Sequence, residues 1–160
     1  MSRAGDFDGD GNLDFAVVAI YEDIPATINT NQFRFVDEPC DNGEWQNNRG
    51  AVFIFRGKSD GIPDSQPSFG YYGPQINQYV ATVAGGFDFN GDALGDLVLG
   101  SLWINRPGAN TTAVANTGAA MFVRGRPYVA ESDGSHKINV ICQADKIIYG
   151  SAENDFLGRS

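Results

Sequence analysis

Short apolar runs, separated by polar and glycine-rich stretches, dominate the hydrophobic pattern of this chain. Residues 14–21 and 50–57 are two such runs; both are rich in β-branched and aromatic residues and are too short for a typical helix. A third run covers residues 68–72 and ends at a Gly-Pro turn signal. The pattern therefore predicts an all-β protein built from short buried strands.

The second half of the chain repeats the order of the first. Residues 96–102 match 14–20, and 118–125 (Gly-Ala-Ala-Met-Phe-Val-Arg-Gly) match 50–57 (Gly-Ala-Val-Phe-Ile-Phe-Arg-Gly) almost residue for residue. The range 137–149 contains the equivalent of the third strand. The spacing differs only in the polar stretches, as expected for insertions in surface loops.

These matches divide the chain into two repeats and a short remainder. The first repeat is 1–77, and we expect its first strand to be missing. The second is 78–155, which opens with a strand at 78–84, and 156–160 resembles the start of that strand. We predict that 156–160 is the first strand of a following repeat, so that one repeat is split between the termini.

Repeats of about 80 residues with four strands each suit the blades of a β-propeller. Two blades cannot close a propeller alone, because neighbouring repeats must cover each other's apolar faces. We therefore predict two four-stranded blades of a larger propeller, with six to eight blades in all. Either copies of the chain close the ring by lending each other a strand, or the remaining blades belong to a longer array.

Two acidic loops join the first and second strands of the repeats. The first, residues 6–14, reads Asp-Phe-Asp-Gly-Asp-Gly-Asn-Leu-Asp, and the second, residues 88–96, reads Asp-Phe-Asn-Gly-Asp-Ala-Leu-Gly-Asp. Carboxylates this close repel one another unless a cation lies among them. Ca²⁺ accepts irregular oxygen-rich loops better than Mg²⁺ does. We expect structural Ca²⁺ in both loops; the alternative is an acidic turn without a metal.

The expected calcium ligands occupy the same five positions in each loop. Asn12 and Leu94 would offer a backbone carbonyl, and the others a side-chain oxygen. The full set is Asp6, Asp8, Asp10, Asn12, Asp14, Asp88, Asn90, Asp92, Leu94 and Asp96. The second loop is expected to bind more weakly, because Asn90 lowers the ligand charge and Ala93 stands where a positive φ is expected.

The loops and strands together resemble the FG-GAP repeat of integrin α-subunit propellers and related bacterial surface proteins. The resemblance rests on the acidic loop, the apolar strand after it and the Gly-Ala strand, and it covers essentially the whole chain twice. It departs from the family pattern after the second strand, where Gly-Ala-Pro is absent, and at Tyr79-Val-Ala81, where Phe-Gly is degenerate. It implies calcium-binding propeller blades with a role in cell adhesion.

Composition and motifs narrow the classes of function. The net charge is −9 and Lys and Arg form no patch, which argues against a nucleic-acid partner. No apolar run is long enough to span a membrane. The lone His136 lies in a turn-like sequence, and neither a nucleophile elbow nor a zinc-binding spacing is present, so no catalytic residue is predicted. Calcium loops favour a secreted or cell-surface location.

The two cysteines, Cys40 and Cys142, lie at positions that are not equivalent in the repeats. Their spacing leaves a disulfide and two separate thiols both open.

Aromatic residues mark the polar stretches at 22–49 and 103–117, which join the second and third strands. These loops lie at the end of each repeat opposite the acidic loops. The predicted ligand-binding residues there are Phe33, Phe35, Trp45 and Trp103. Alternatively, the rings pack together as the core of these loops.

We therefore predict a calcium-stabilised interaction module, not an enzyme, that binds protein or glycan and closes a ring as a homo-oligomer. One alternative is the scaffold propeller of a secreted carbohydrate-active or lipid-cleaving enzyme, whose catalytic residues lie outside this chain. Another is a purely self-assembling unit.

Overall fold

The computed structural model describes residues 1–23, 33–35, 48–73, 79–108 and 113–159. The described strands, in chain order, are β1 (Ser2–Gly5), β2 (Asp14–Ala19), β3 (Phe33–Phe35), β4 (Ala51–Phe55), β5 (Phe69–Tyr72), β6 (Val80–Phe87), β7 (Asp96–Ser101), β8 (Ala119–Val123), β9 (Ile138–Ile141) and β10 (Lys146–Tyr149). No described segment is a helix that could cross a membrane. The prediction of an all-β protein is confirmed for this part of the chain.

The first sheet is built on an antiparallel meander of β1, β2, β4 and β5. Two further strands extend it beyond β5 by parallel pairing, first β9 and then β3. The second sheet is antiparallel throughout, with the order β10-β8-β7-β6. Apart from the two added strands, both sheets have the four-stranded order that the sequence predicted.

The first repeat has a first strand, contrary to the prediction. β1 pairs antiparallel with β2, with Ser2 opposite Ala16. The sequence comparison used a run that ends at Ala84, whereas β6 continues to Phe87, directly before the second acidic loop. β1 corresponds to this second half of β6, so the first sheet has a short first strand rather than none.

The range 137–149 holds two strands rather than one. β10 completes the second sheet in the place predicted for the third apolar run. β9 instead crosses to the first sheet, where the N–H of Asn139 donates to the carbonyl of Ser68 at 2.8 Å. The excursion explains why this range is so much longer than its counterpart at 68–72.

The segment 156–159 is not a strand, contrary to the prediction for 156–160. Leu157 forms a single bridge with Gly118. Phe156 and Gly158 have φ angles of 51° and 91°, which an extended strand does not adopt. Ser160 lies outside the described residues.

Cys142 follows β9 directly and is disulfide-bonded. The only other cysteine in the sequence is Cys40, which lies outside the described residues. Of the two alternatives that the sequence left open, the structure therefore contains the disulfide.

One face of each sheet packs against the other sheet over a shared apolar core. The largest fully buried side chains of this core are Tyr71, Phe7, Phe69, Ile54, Leu97, Leu99, Ile104 and Met121. The Tyr71 hydroxyl donates across the core to Sδ of Met121 at 3.4 Å.

Beside the acidic loops, the two sheets meet backbone to backbone. A Cβ on Gly95 would overlap the carbonyl oxygen of Ala4 and would lie 2.8 Å from Cα of Gly5. The N–H of Gly95 donates to the carbonyl of Asp6 at 2.7 Å. The absence of a side chain at Gly95 thus allows the first acidic loop to sit directly on the second sheet.

Candidate metal centre

The two acidic loops follow the same backbone path. Gly9 and Gly91 have φ angles of 79° and 81°, and Gly11 and Ala93 have φ angles of 86° and 71°. The prediction that Ala93 occupies a position of positive φ is therefore confirmed. Because a Cβ is unfavourable in this conformation, the second loop carries a backbone cost that the first avoids.

Asp14 is buried and uses both carboxylate oxygens to accept backbone hydrogen bonds. The N–H of Phe7 donates to Oδ2 and the N–H of Gly57 to Oδ1, each at 2.8 Å. Burial raises the pKa of Asp14 to about 6 despite these two bonds, and the nearby charge of Asp8 adds to the rise. The carboxylate thus ties its own loop to the end of β4.

Asp96 holds the same position in the second loop and makes the same pair of bonds. The N–H of Phe89 donates to its Oδ2 at 2.9 Å, and the N–H of Gly125 donates to its Oδ1 at 2.8 Å. Asp96 is fully buried. The last aspartate of each loop therefore has a structural role through these two hydrogen bonds, whether or not a metal is bound.

In the first loop, Asp6, Asp8 and Asp14 bring one carboxylate oxygen each within 4.8 Å of the others. Oδ2 of Asp6 accepts from the N–H of Gly11 at 3.0 Å. Oδ1 of Asp6 is buried and has no hydrogen-bond partner. Burial raises the pKa of Asp8, and the ion pair with Arg56 opposes that rise. A buried carboxylate oxygen without a partner is the kind of ligand that a hard cation satisfies.

Arg56 supplies the positive charge at this cluster in the present structure. Its Nε forms an ion pair with Oδ2 of Asp8, and its Nη2 lies 2.7 Å from Oδ2 of Asp10. Its guanidinium also lies over the ring of Tyr128, 5.0 Å from the centroid. Asp10, predicted as a metal ligand, therefore faces Arg56 instead. Sequence reasoning missed Arg56, although an arginine ends both 50–56 and the matching run 118–124.

The second loop satisfies its acidic side chains with its own backbone. Asp88 is exposed and accepts from the N–H groups of Gly91 at 2.6 Å and Ala93 at 2.8 Å. The bond from Ala93 is the main reason why the pKa of Asp88 is lowered. Nδ2 of Asn90 donates to Asp92 at 2.8 Å. Of the two loops, both within the described residues, only the first gathers three carboxylates within reach of one ion.

The arginine equivalent to Arg56 pairs with a carboxylate outside the second loop. Arg124 forms an ion pair with Asp145, with Nε 2.7 Å from Oδ1. Its backbone N–H donates to Oδ2 of the same carboxylate at 2.8 Å. The two loops therefore differ both in their carboxylate number and in whether an arginine reaches them.

Asn12 and Leu94 are predicted to offer carbonyl ligands, and in the structure their N–H groups close local turns. The N–H of Asn12 donates to Asp10 at 2.8 Å, and that of Leu94 donates to Asp92 at 2.9 Å. The residues that could hold a metal ion in the first loop are thus Asp6, Asp8 and Asp14, whereas Asp10 pairs with Arg56.

Of the four predicted ligand-binding aromatics, the structure describes the side chain of Trp103. It is 43% exposed and packs edge-to-face on Phe156, with the ring centroids 5.2 Å apart. Trp45 and the side chains of Phe33 and Phe35 lie outside the described residues. Trp103 is therefore partly a packing residue and partly available to a ligand.

A second aromatic pair occupies the same place on the first sheet. Tyr21 packs edge-to-face on Tyr79, with centroids 5.7 Å apart, and Tyr21 is well exposed. Tyr79 and Phe156 have φ angles of 52° and 51°, which are rare for bulky residues. Sequence reasoning missed this pair, although Tyr21 follows the second strand at the same spacing as Trp103.

His136 is exposed, and its Nε2 lies 2.9 Å from the carbonyl oxygen of Pro67. Its ring stacks on Tyr128.

The chain matches no family model and no curated protein. The geometry of the loops and of the aromatic pairs therefore carries the functional argument.

We predict that Asp96→Asn destabilises the fold even when no metal is present. The substitution replaces one acceptor by an NH₂ group that faces a backbone N–H, so we expect a loss of about 2–4 kcal/mol. Urea unfolding in EDTA measures it. Asp60→Asn is the control, since Asp60 accepts one bond from Ile62 in an exposed turn. A loss of stability that appears only with Ca²⁺ present would contradict the metal-independent structural role of Asp96.

Proposed function

We propose that this chain is a calcium-stabilised interaction module, built from two FG-GAP-like blades of a β-propeller, that works outside the cell or at its surface. It binds a protein or glycan through the end of the sheets that carries the aromatic pairs. The observation that carries the proposal is the repetition of one partly exposed aromatic pair on each sheet, Tyr21 with Tyr79 and Trp103 with Phe156.

The strand order supports reading each sheet as a blade. Both sheets contain a four-stranded antiparallel meander, and they pack face to face over one core. The connection between the first and second strands is an acidic loop in each. This arrangement is what neighbouring propeller blades require, because each blade covers the apolar face of the next.

The unpartnered oxygen of Asp6 supports calcium at the first loop. Bound there, Ca²⁺ would neutralise the carboxylates of Asp6, Asp8 and Asp14 and stiffen the turn between β1 and β2. The same loop contacts the second sheet through Asp6 and Gly95. A stiffer loop would therefore hold the two sheets together as well as its own hairpin.

The disulfide at Cys142 supports an oxidising compartment. Disulfides persist in secreted and cell-surface proteins and are rare in the reducing cytosol. Calcium is also abundant outside the cell, so both features favour the same location.

The aromatic end supports ligand binding by two arguments. Exposed aromatic side chains are common anchors of interfaces. Bulky residues with positive φ, such as Tyr79 and Phe156, store backbone strain, and strain of this kind concentrates at functional sites. Tyr21 and Trp103 then present their rings to solvent from one end of the two sheets.

We predict that Ca²⁺ raises the melting temperature by about 5 °C or more relative to EDTA, because the ion binds the folded loop and not the unfolded chain. Asp6→Asn should remove most of this shift by deleting the unpartnered oxygen. Asp133→Asn, in an exposed turn, is the matched control and should keep the shift. Identical wild-type melts with and without calcium would remove the metal from the proposal.

We predict that Arg56→Gln raises the calcium affinity of the first loop by about tenfold, because the guanidinium no longer competes for Asp8 and Asp10. Isothermal titration calorimetry measures the affinity. Arg124→Gln should have little effect, since Asp145 already holds that side chain. A lower affinity after Arg56→Gln would show that Arg56 props the loop open instead of competing with the ion.

We predict that ligands found by screening immobilised glycans and extracellular proteins need the aromatic pairs. Tyr21→Ala and Trp103→Ala should each weaken binding by about tenfold, as expected for aromatic anchors. Ile62→Ala is the control, because Ile62 is well exposed and belongs to neither aromatic pair. Ligands that bind both aromatic variants as well as wild type would move the binding surface elsewhere.

A further inference from the structure

Phe7 and Phe89 hold the same position in the two acidic loops, yet their surroundings differ. Phe7 is fully buried and packs edge-to-face on Phe69, with centroids 5.0 Å apart. Its carbonyl accepts from the N–H of Arg126, which follows β8 of the second sheet, at 2.8 Å. Phe89 is 43% exposed. The second sheet thus covers Phe7, whereas Phe89 has no such cover among the described residues.

Phe89 belongs to an apolar face of the second sheet that points away from the core. Strand pairing sets Val98 opposite Phe122 and Ile148 opposite Ala120, and side chains in such registers share one face. Phe89 packs on Phe122, with centroids 5.4 Å apart. We call this the open face of the second sheet; it comprises Phe87, Phe89, Val98, Phe122 and Ile148, with Lys146 beside them opposite Phe122.

The first sheet also has an apolar face that points away from the core. Phe15 and Phe55 stack on it, with centroids 5.0 Å apart. Val17 lies opposite Phe53 in the same register, and all four side chains are half-buried. We call this the open face of the first sheet; it comprises Phe15, Val17, Phe53 and Phe55. Phe53 also packs on the buried cluster of Ala51, Tyr72 and Val140, and Arg3 lies opposite Phe15.

By the repeat match, the two open faces correspond to the two faces that already pack against each other inside the chain. By the repeat match, Phe15 and Val17 correspond to Leu97 and Leu99, which the second sheet packs against the first. In the same way Phe89 corresponds to Phe7, which that packing covers. Each open face therefore has the complementary counterpart that it needs on another copy of the chain.

We propose that a second copy of this chain docks the open face of its first sheet onto the open face of the second sheet. The contact is head-to-tail, as it is between the two sheets within one chain. This inference rests on the proposed function, because it treats each sheet as a propeller blade.

The contact between copies differs from the internal one where glycines make the internal contact tight. A Cβ on Gly85 would lie 2.7 Å from the carbonyl oxygen of Arg3, and Arg3 takes the place of Gly85 in the proposed contact. Inside the chain, Gly5 and Gly95 meet backbone to backbone. Their equivalents in the proposed contact are Phe87 and Leu13, and Leu13 is 71% exposed in the single chain. The two large side chains would fill a wider gap between the sheets, so docking would bury two apolar groups that the single chain leaves in water.

The segment 156–158 supports the same placement. The N–H of Leu157 donates to the carbonyl of Thr117 at 3.0 Å, just as the N–H of Val80 donates to the carbonyl of Arg49 at 3.0 Å. Val80 begins the first strand of the second sheet. Leu157 therefore lies where the first strand of a third sheet would begin, at the edge that β1 of a second copy would reach.

Sedimentation equilibrium in calcium buffer tests the proposal. Wild type should sediment as a dimer or larger ring at about 100 µM, a concentration that suits an interface of modest size. Ile148→Lys should weaken association by about tenfold or more, because it places a charge in the apolar contact. Ile62→Lys is the matched control, since Ile62 is exposed and belongs to neither open face, and it should associate like wild type.

A mixing experiment tests the head-to-tail geometry. Val17→Lys damages the open face of the first sheet, so this variant alone should also associate more weakly than wild type, by about tenfold or more. An equimolar mixture of Val17→Lys and Ile148→Lys should form dimers, because each variant keeps the face that the other needs. If Val17→Lys fails to fold by circular dichroism, Leu13→Lys replaces it, since that side chain is well exposed.

A monomeric wild type would overturn the proposal, as would unchanged association of Ile148→Lys. A mixture that stays monomeric while wild type associates would overturn the head-to-tail contact. Melting curves in calcium and in EDTA on the same samples keep the two proposals apart. A monomer that still gains stability from calcium would contradict self-docking alone, and a loss of both effects would contradict the blade interpretation as well.

Discussion

The acidic loops depend on one buried aspartate each, whose carboxylate accepts two backbone N–H groups. Asp14 joins the start of its loop to the residue beyond β4, and Asp96 does the same beside β8. Because these bonds connect segments far apart in sequence, one side chain fixes both the loop and the pairing of two strands. Hydrogen bonds to a buried carboxylate are strong, since both the charge and the low dielectric favour them. These hydrogen bonds fix the loop conformation that positions the remaining acidic side chains.

Burying carboxylates in a tight loop creates repulsion, and the two loops relieve it differently. In the first, Arg56 bridges Asp8 and Asp10, while one oxygen of Asp6 is left without a partner. In the second, Asp88 and Asp92 are exposed and take hydrogen bonds from the backbone of their own loop. Under the proposed function, the affinity of each loop for calcium therefore depends on what an ion must displace, as well as on the number of its carboxylates.

The sequence predicted strands and loop conformations that depend on neighbouring residues. It missed contacts between segments that are far apart in the chain. The runs at 14–21 and 50–57 contain β2 and β4 because alternating β-formers between turns specify strands without outside help. The positive φ at Ala93 followed from a comparison of two loops. The crossing of β9 to the first sheet could not be predicted, because the sequence of a short apolar strand does not specify which strand it pairs with. The same holds for Arg56, whose role depends on a fold that brings residues 8 and 56 together.

The separation of the two ends of β2 constrains how calcium and a ligand could act together. β2 has six residues, so at about 3.3 Å per residue it spans roughly 20 Å between Asp14 and the residues that precede Tyr21. An ion at Asp14 therefore cannot touch a ligand on the aromatic pair. Any coupling between them must pass through the strand and the core beneath it, as a change in rigidity. A calcium effect on ligand affinity would then occur only together with a calcium effect on stability. A substitution that removes the effect on stability would also remove the effect on affinity, because the ion does not contact the ligand.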